Sequence, residues 1–143
     1  MKEITKCPST LALGYSAYSP IAIKRLFDGK KVSPYLGFEI EEIAQGKDAM
    51  LVMKRISVSG AQEKFPAVVD HGVIRLSEKG ERSWYILKPA PWDNTLYTRK
   101  QIPANEHLTM QIAAQVYGIA TAENGLCFTP KGEMVYITKR FDL

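Results

Sequence analysis

From Phe65 to Phe141 the apolar residues recur mostly at every second position, in short runs rich in β-branched and aromatic residues and bounded by turn formers. A period of two buries one face of a pleated strand and cannot build a long amphipathic helix, so this stretch predicts antiparallel strands. Residues 65–69 and 73–76 flank Asp70-His71-Gly72, which reads as a hairpin turn. A polar turn over 77–82 leads to a third strand over 83–88. In it Trp84, Ile86 and Lys88 share one face, Tyr85 and Leu87 the other. Residues 126–129 and 134–141 make two more strands around Pro130-Lys131-Gly132.

One segment breaks the pattern. Pro103-Ala104-Asn105-Glu106 opens the longest helix, over 104–117, and Gly118 ends it. Leu108, Ile112 and Val116 fall at i, i+4 and i+8, which predicts that this face packs on the sheet. Nearer the amino terminus a strand is expected to end near Leu13. Ser19-Pro20 then caps and opens a short helix with Ile23, Leu26 and Phe27 on its apolar side, and Gly29 closes it. A second short helix covers 39–44. The fold class is therefore α+β: a mainly antiparallel β-sheet, one long helix packed on it and short amino-terminal helices.

A chain of 143 residues suits one domain with its own core. Within it we distinguish a helical and loop segment, 1–50, from a sheet-bearing lobe, 51–143. With 45% hydrophobic and 24% charged residues the chain reads as globular. It carries neither a membrane-length apolar run nor the apolar core of a signal peptide, so a cytoplasmic location and no membrane partner are expected. The net charge of +4 comes from scattered doublets such as Lys30-Lys31 and Arg99-Lys100, so no direct nucleic-acid contact is expected. Cys7 and Cys127 lie far apart without C-x-x-C spacing and read as reduced thiols. His71 and His107 are isolated, and read as surface or capping residues rather than metal ligands.

The stretch Ile56-Ser57-Val58-Ser59-Gly60-Ala61-Gln62-Glu63-Lys64 places two hydroxyls, a glycine and a lysine in a loop that feeds the first strand of the sheet. Gly60 lets the backbone turn and approach a ligand closely, and successive amides in such a turn can point at phosphate oxygens. Most short polar turns are only turns, and both the Walker spacing and a G-x-G-x-x-G run are missing. Lys54-Arg55 lies just before the serines, where it can attract phosphate. Lys88 ends an apolar strand and needs a partner, unless it simply reaches solvent. Glu106 stands at a helix start, where the macrodipole alone would favour a carboxylate.

Ser57-Val58-Ser59-Gly60-Ala61-Gln62-Glu63-Lys64 resembles the S-x-x-G-x-Q-x-K signature of the HipA toxin kinases, serine/threonine protein kinases of bacterial toxin–antitoxin systems. Ile86-Leu87-Lys88-Pro89, Asn105-Glu106-His107 and Lys139-Arg140-Phe141-Asp142 agree in the same order, and the amino-terminal part is most similar to the shorter HipT-like members. The resemblance implies a kinase amino-terminal lobe. Lys88 would hold the phosphates of ATP and Glu106 would hold the lysine. Ser59, Gly60, Ala61 and Gln62 would form the phosphate loop, and backbone groups of Lys139 and Phe141 at the hinge would meet the adenine. Lysine stands at 139 where relatives often have glutamate. The family's autophosphorylated serine maps onto Ser57, with Ser59 a second candidate, and a dianion in a phosphate loop would act as an off switch.

Full-length relatives phosphorylate aminoacyl-tRNA synthetases and are restrained by a helix-turn-helix antitoxin, so the resemblance implies both as partners. Leu143 follows directly on the hinge match. The family's catalytic aspartate and the Mg-binding aspartate belong to a carboxy-terminal lobe, so this chain alone is expected not to catalyse transfer. A reading from another class is a non-catalytic, kinase-like binding module that serves as a partner or antitoxin subunit.

Overall fold

A computed structural model of the protein describes residues 3–44, 63–91 and 98–141. Five strands, β1 (Phe65–Asp70), β2 (Val73–Leu76), β3 (Tyr85–Lys88), β4 (Asn124–Phe128) and β5 (Met134–Lys139), form one sheet in the order β2-β1-β3-β5-β4. Every neighbouring pair is antiparallel, so the α+β class read from the sequence is the observed one. The β1–β2 turn takes two residues at positive φ, His71 at 51° and Gly72 at 78°. This is the backbone that a right-twisted two-residue hairpin demands, and Gly72 adopts it without a steric penalty.

The two faces of the sheet are covered by different parts of the chain. Phe65, Tyr85, Leu87, Val135 and Ile137 meet helix α1 (Pro20–Leu26) and the apolar residues that follow it, Phe27, Val32, Leu36 and Ile40, in one buried cluster. Ile40 opens α2 (Ile40–Ala44). The amino-terminal segment and the sheet thus share this cluster, and a second, smaller one joins Ile4 to Leu126 and Phe128. Ser19 caps α1 through its hydroxyl, which accepts the Ala22 N–H at 3.3 Å, and Pro20 occupies the first turn. Two tyrosine hydroxyls fasten this layer from inside. Tyr85 donates to the Leu26 carbonyl at 2.8 Å and Tyr18 to the Leu126 carbonyl at 2.6 Å. Each buries a ring without leaving its hydroxyl unpaired.

On the opposite face lies α3 (Ile102–Gln115), entered through a 3-10 turn over Arg99–Gln101. Its contact with the sheet differs from the expectation. Leu108, Ile112 and Val116 are 48%, 41% and 70% exposed, whereas Pro103 and His107 are buried. The inward positions are Pro103, Ala104 and the polar His107, which donates to the Ser9 carbonyl, while the exposed Gln115 reaches the Thr10 carbonyl at the rim. A buried carbonyl must be paired, and this need turns the apolar stripe away from the sheet. Leu108, Ile112 and Val116 instead line an open cleft of about 1000 Å³ together with Ile21 and Ile119.

The strand expected near Leu13 is reduced to an isolated bridge between Lys6 and Leu13. Between them the chain folds into a tight loop, with Cys7 N–H on the Ala12 carbonyl at 2.8 Å and Leu11 N–H on the Cys7 carbonyl at 3.0 Å. This loop crosses β4 where the strand carries Gly125. A Cβ there would meet Ser9 Cβ at 3.2 Å, Leu26 Cδ2 at 3.3 Å and the Pro8 carbonyl oxygen at 3.3 Å. Two of these three neighbours are backbone or next to it and cannot swing aside. Gly125→Ala is therefore expected to destabilise the fold by about 1–3 kcal/mol, as overpacking of a close core does. Urea or thermal unfolding measures it, and an unchanged midpoint would refute the close approach.

Candidate functional site

The alternation along β3 sets Lys88 on the face that α3 covers, and the first turns of α3 bring Glu106 over the end of the strand. Lys88 Nζ and Glu106 Oε1 are 2.9 Å apart, with the two side chains 22% and 27% exposed. Desolvation on that scale makes a lone charge costly and a paired one tolerable, so each group depends on the other. Across the β3–β5 ladder Lys88 lies opposite Tyr136, and its ammonium sits 5.6 Å from the centre of that ring. The result is a cation oriented by a carboxylate and an aromatic face, on a strand beneath a helix. Such a group can neutralise an oxyanion, a phosphate above all, without first searching for its geometry.

Lys139 stands apart from this pair. Its register partner is Tyr85, which points to the α1 side of the sheet, and its ammonium reaches Asp28 Oδ1 at 2.6 Å and the Arg25 carbonyl at 3.3 Å. Its backbone N–H donates to the Glu123 carbonyl at 2.8 Å. Arg140 holds the end of the strand down, with its N–H on the Trp84 carbonyl at 2.9 Å and Nη1 on Ser83 Oγ at 2.7 Å. Phe141, the last residue described, is exposed. The structure thus brings Lys88 and Glu106 together and places the Lys139 side chain on the other face. Ser57, Ser59, Gly60, Ala61 and Gln62 lie outside the described residues.

His107 is a correction to the sequence reading. Far from being a surface or capping residue, it is 1% exposed, and its Nε2–H donates to the Ser9 carbonyl at 2.7 Å. His71 does sit at the surface, beside Asp70. Burial is the first cause of a His107 pKa below the ordinary 6.5; the Ser9 carbonyl pulls the other way, and the Lys6 charge lowers it further. Both cysteines are free and buried. Cys7 Sγ accepts the N–H groups of Ser9, Thr10 and Ser19 at 3.3–3.4 Å. Burial alone would raise the Cys7 thiol, but hydrogen bonds from Ser19 and Thr10 leave it below its ordinary 9.0. Burial pushes the Cys127 thiol up. Sequence offered one usable signal for His107, its place directly after Glu106 in a shared motif; nothing in the pattern singled out Tyr136.

Among the described residues no group of three or more His, Cys, Asp and Glu side chains could hold a metal ion. Nor is any described helix long and apolar enough to cross a membrane. Compared with known families, residues 56–143 match the model described as the HipA-like C-terminal domain. That span includes Lys88, Glu106 and Tyr136. No curated protein matches the chain.

The buried histidine gives a pH test. The unfolded chain, with His107 at its ordinary pKa, takes up a proton before the folded chain does. The stability this residue contributes is thus fully present above about pH 6.5 and is lost as pH falls through the window beneath it. His107→Gln, whose amide can still donate to the Ser9 carbonyl but does not titrate, is expected to flatten the fall in urea midpoint between pH 7 and pH 5. Equal slopes in the two proteins would contradict it.

Proposed function

The chain belongs to the HipA family, and we propose that it is the ATP-phosphate-binding part of a HipA-like serine/threonine protein kinase of a toxin–antitoxin system. The observation that carries this reading is the Lys88–Glu106 ion pair at 2.9 Å, joining a strand lysine to a carboxylate on the covering helix. Phosphoryl transfer asks little covalent chemistry of the protein; it asks for positioned charge on the phosphates, and a lysine fixed by a helix glutamate supplies it. In this reading Lys88 contacts nucleotide phosphate and Glu106 keeps the lysine in place. The loop amides of Ser59, Gly60, Ala61 and Gln62 cradle phosphate oxygens, and the backbone near Lys139 and Phe141 lies beside the adenine.

Among the described residues no group of three or more His, Cys, Asp and Glu side chains gathers, and the magnesium that accompanies ATP would take its ligands from a carboxy-terminal lobe. The reading further takes the protein to be cytoplasmic, to act on a protein substrate such as an aminoacyl-tRNA synthetase, and to be restrained by a helix-turn-helix antitoxin. Phosphate on Ser57 or Ser59 switches it off, because a dianion in the loop repels nucleotide.

The test uses the full gene product. A hydrogen bond to a charged group is worth about 1.5–3 kcal/mol, so Lys88→Ala is expected to weaken ATP binding roughly tenfold or more in calorimetry. Thermal unfolding should show the variant still folded. ATP affinity unchanged in this variant would remove the assignment.

The serines supply a second test. Replacing Ser57 and Ser59 together by alanine should keep ATP binding and abolish self-phosphorylation seen by mass spectrometry. Replacing both by aspartate should weaken ATP binding. Phosphate on other residues only would refute the switch.

A further inference from the structure

We propose that Tyr136 is a positioning residue for the Lys88 ammonium, its ring forming the fixed wall against which Glu106 holds the charge. The inference rests on the nucleotide reading of this site. Lys88 and Tyr136 are register partners on β3 and β5, so their side chains leave the same face of the sheet as direct cross-strand neighbours. Nζ stands 5.6 Å from the ring centre, within the range where the negative face of an aromatic ring attracts a cation. The ring itself is buried and held in the sheet interior. Burial first, and then the neighbouring Glu106 carboxylate, push the Tyr136 hydroxyl up to about 12 against a smaller opposing bond from Thr138, so the ring stays neutral and keeps its attractive face.

Geometry explains why a carboxylate alone is insufficient. A lysine stem has several rotatable bonds, and one ion pair leaves the ammonium free to pivot about a single contact. A rigid ring on the neighbouring strand removes that freedom. Incoming phosphate can then compete for the ammonium with Glu106, while the ring contact persists and the charge stays on the same side of the strand. Tyr136 touches no phosphate in this scheme; it acts through Lys88.

The test replaces Tyr136 in the full gene product by phenylalanine and then by phenylalanines carrying one, two and three ring fluorines. Shape is preserved while the cation-attracting face weakens stepwise. Acetylation of the Lys88 amine by an N-hydroxysuccinimide ester, followed by mass spectrometry, reports how much neutral, reachable amine Lys88 presents as the ring's hold on the cation weakens, with exposed Lys100 as the internal control. Phenylalanine should match the native protein within about twofold, and the rate should climb with each fluorine to roughly threefold or more. ATP affinity in the same series should fall in step. A flat acetylation series overturns the proposal, and so does a rising one with unchanged ATP affinity when Lys88→Ala weakens binding. If acetylation climbs while Lys88→Ala leaves ATP binding intact, the ring does position the lysine and it is the nucleotide reading that fails.

Discussion

The loop from Cys7 to Thr10 is a hub of backbone polarity, and the arrangement around the site depends on how it is satisfied. Its N–H groups turn inward onto a sulfur, with Ser9 and Thr10 both donating to Cys7 Sγ. Its carbonyls turn outward. Pro8 accepts from Leu126 N–H at 2.9 Å, Ser9 from His107 and Thr10 from Gln115. The Ser9 hydroxyl adds a 2.6 Å bond to the Asn124 carbonyl, and the Asn124 side chain accepts from Gln111. Unpaired, the buried ones among these groups, such as the Ser9 carbonyl, would each cost on the order of 1–3 kcal/mol, so the loop, β4 and α3 are bound as one unit.

That hub explains which parts of the fold could be read from the sequence. The strands were legible because their signal is local: alternation, a two-residue turn, β-branched runs. The cap of α1 was legible for the same reason, since Ser19 and Pro20 act on their own neighbours. The orientation of α3 was not. Its apolar repeat at Leu108, Ile112 and Val116 is genuine, but the buried stripe is chosen by carbonyls about a hundred residues earlier in the chain, and periodicity carries no record of them. His107 was misplaced for the same reason: a histidine becomes a buried donor only when a distant carbonyl needs one.

The candidate site shows a similar division. The motifs named Lys88 and Glu106 separately, and strand parity put Lys88 on a definite face, but only the packing of α3 across the sheet brings the two within 2.9 Å. Parity also separates the lysines. Lys88 lies opposite Tyr136 and Lys139 opposite Tyr85, register positions three residues apart, so their side chains leave opposite faces. Lys139 joins the carboxyl end of β5 to the carboxyl end of α1 through Asp28 and the Arg25 carbonyl, where a cation also suits the helix dipole. One lysine is thus held at the site, and the other ties the sheet to the layer behind it.

Three consecutive residues of α3 serve three surfaces. Glu106 meets Lys88, His107 enters the hub, and Leu108 faces the open cleft. Successive residues of a helix are about 100° apart, so no one of these directions can change without turning the other two. A twist of the helix that carried Glu106 away from Lys88 would have to pull the buried His107 off the Ser9 carbonyl. The ion pair therefore inherits its rigidity from a hydrogen bond on the adjacent residue, made to a part of the chain outside the matched family span. A charge pair formed in advance, and held by packing rather than by the ligand, is the arrangement in which electrostatic stabilisation needs least reorganisation.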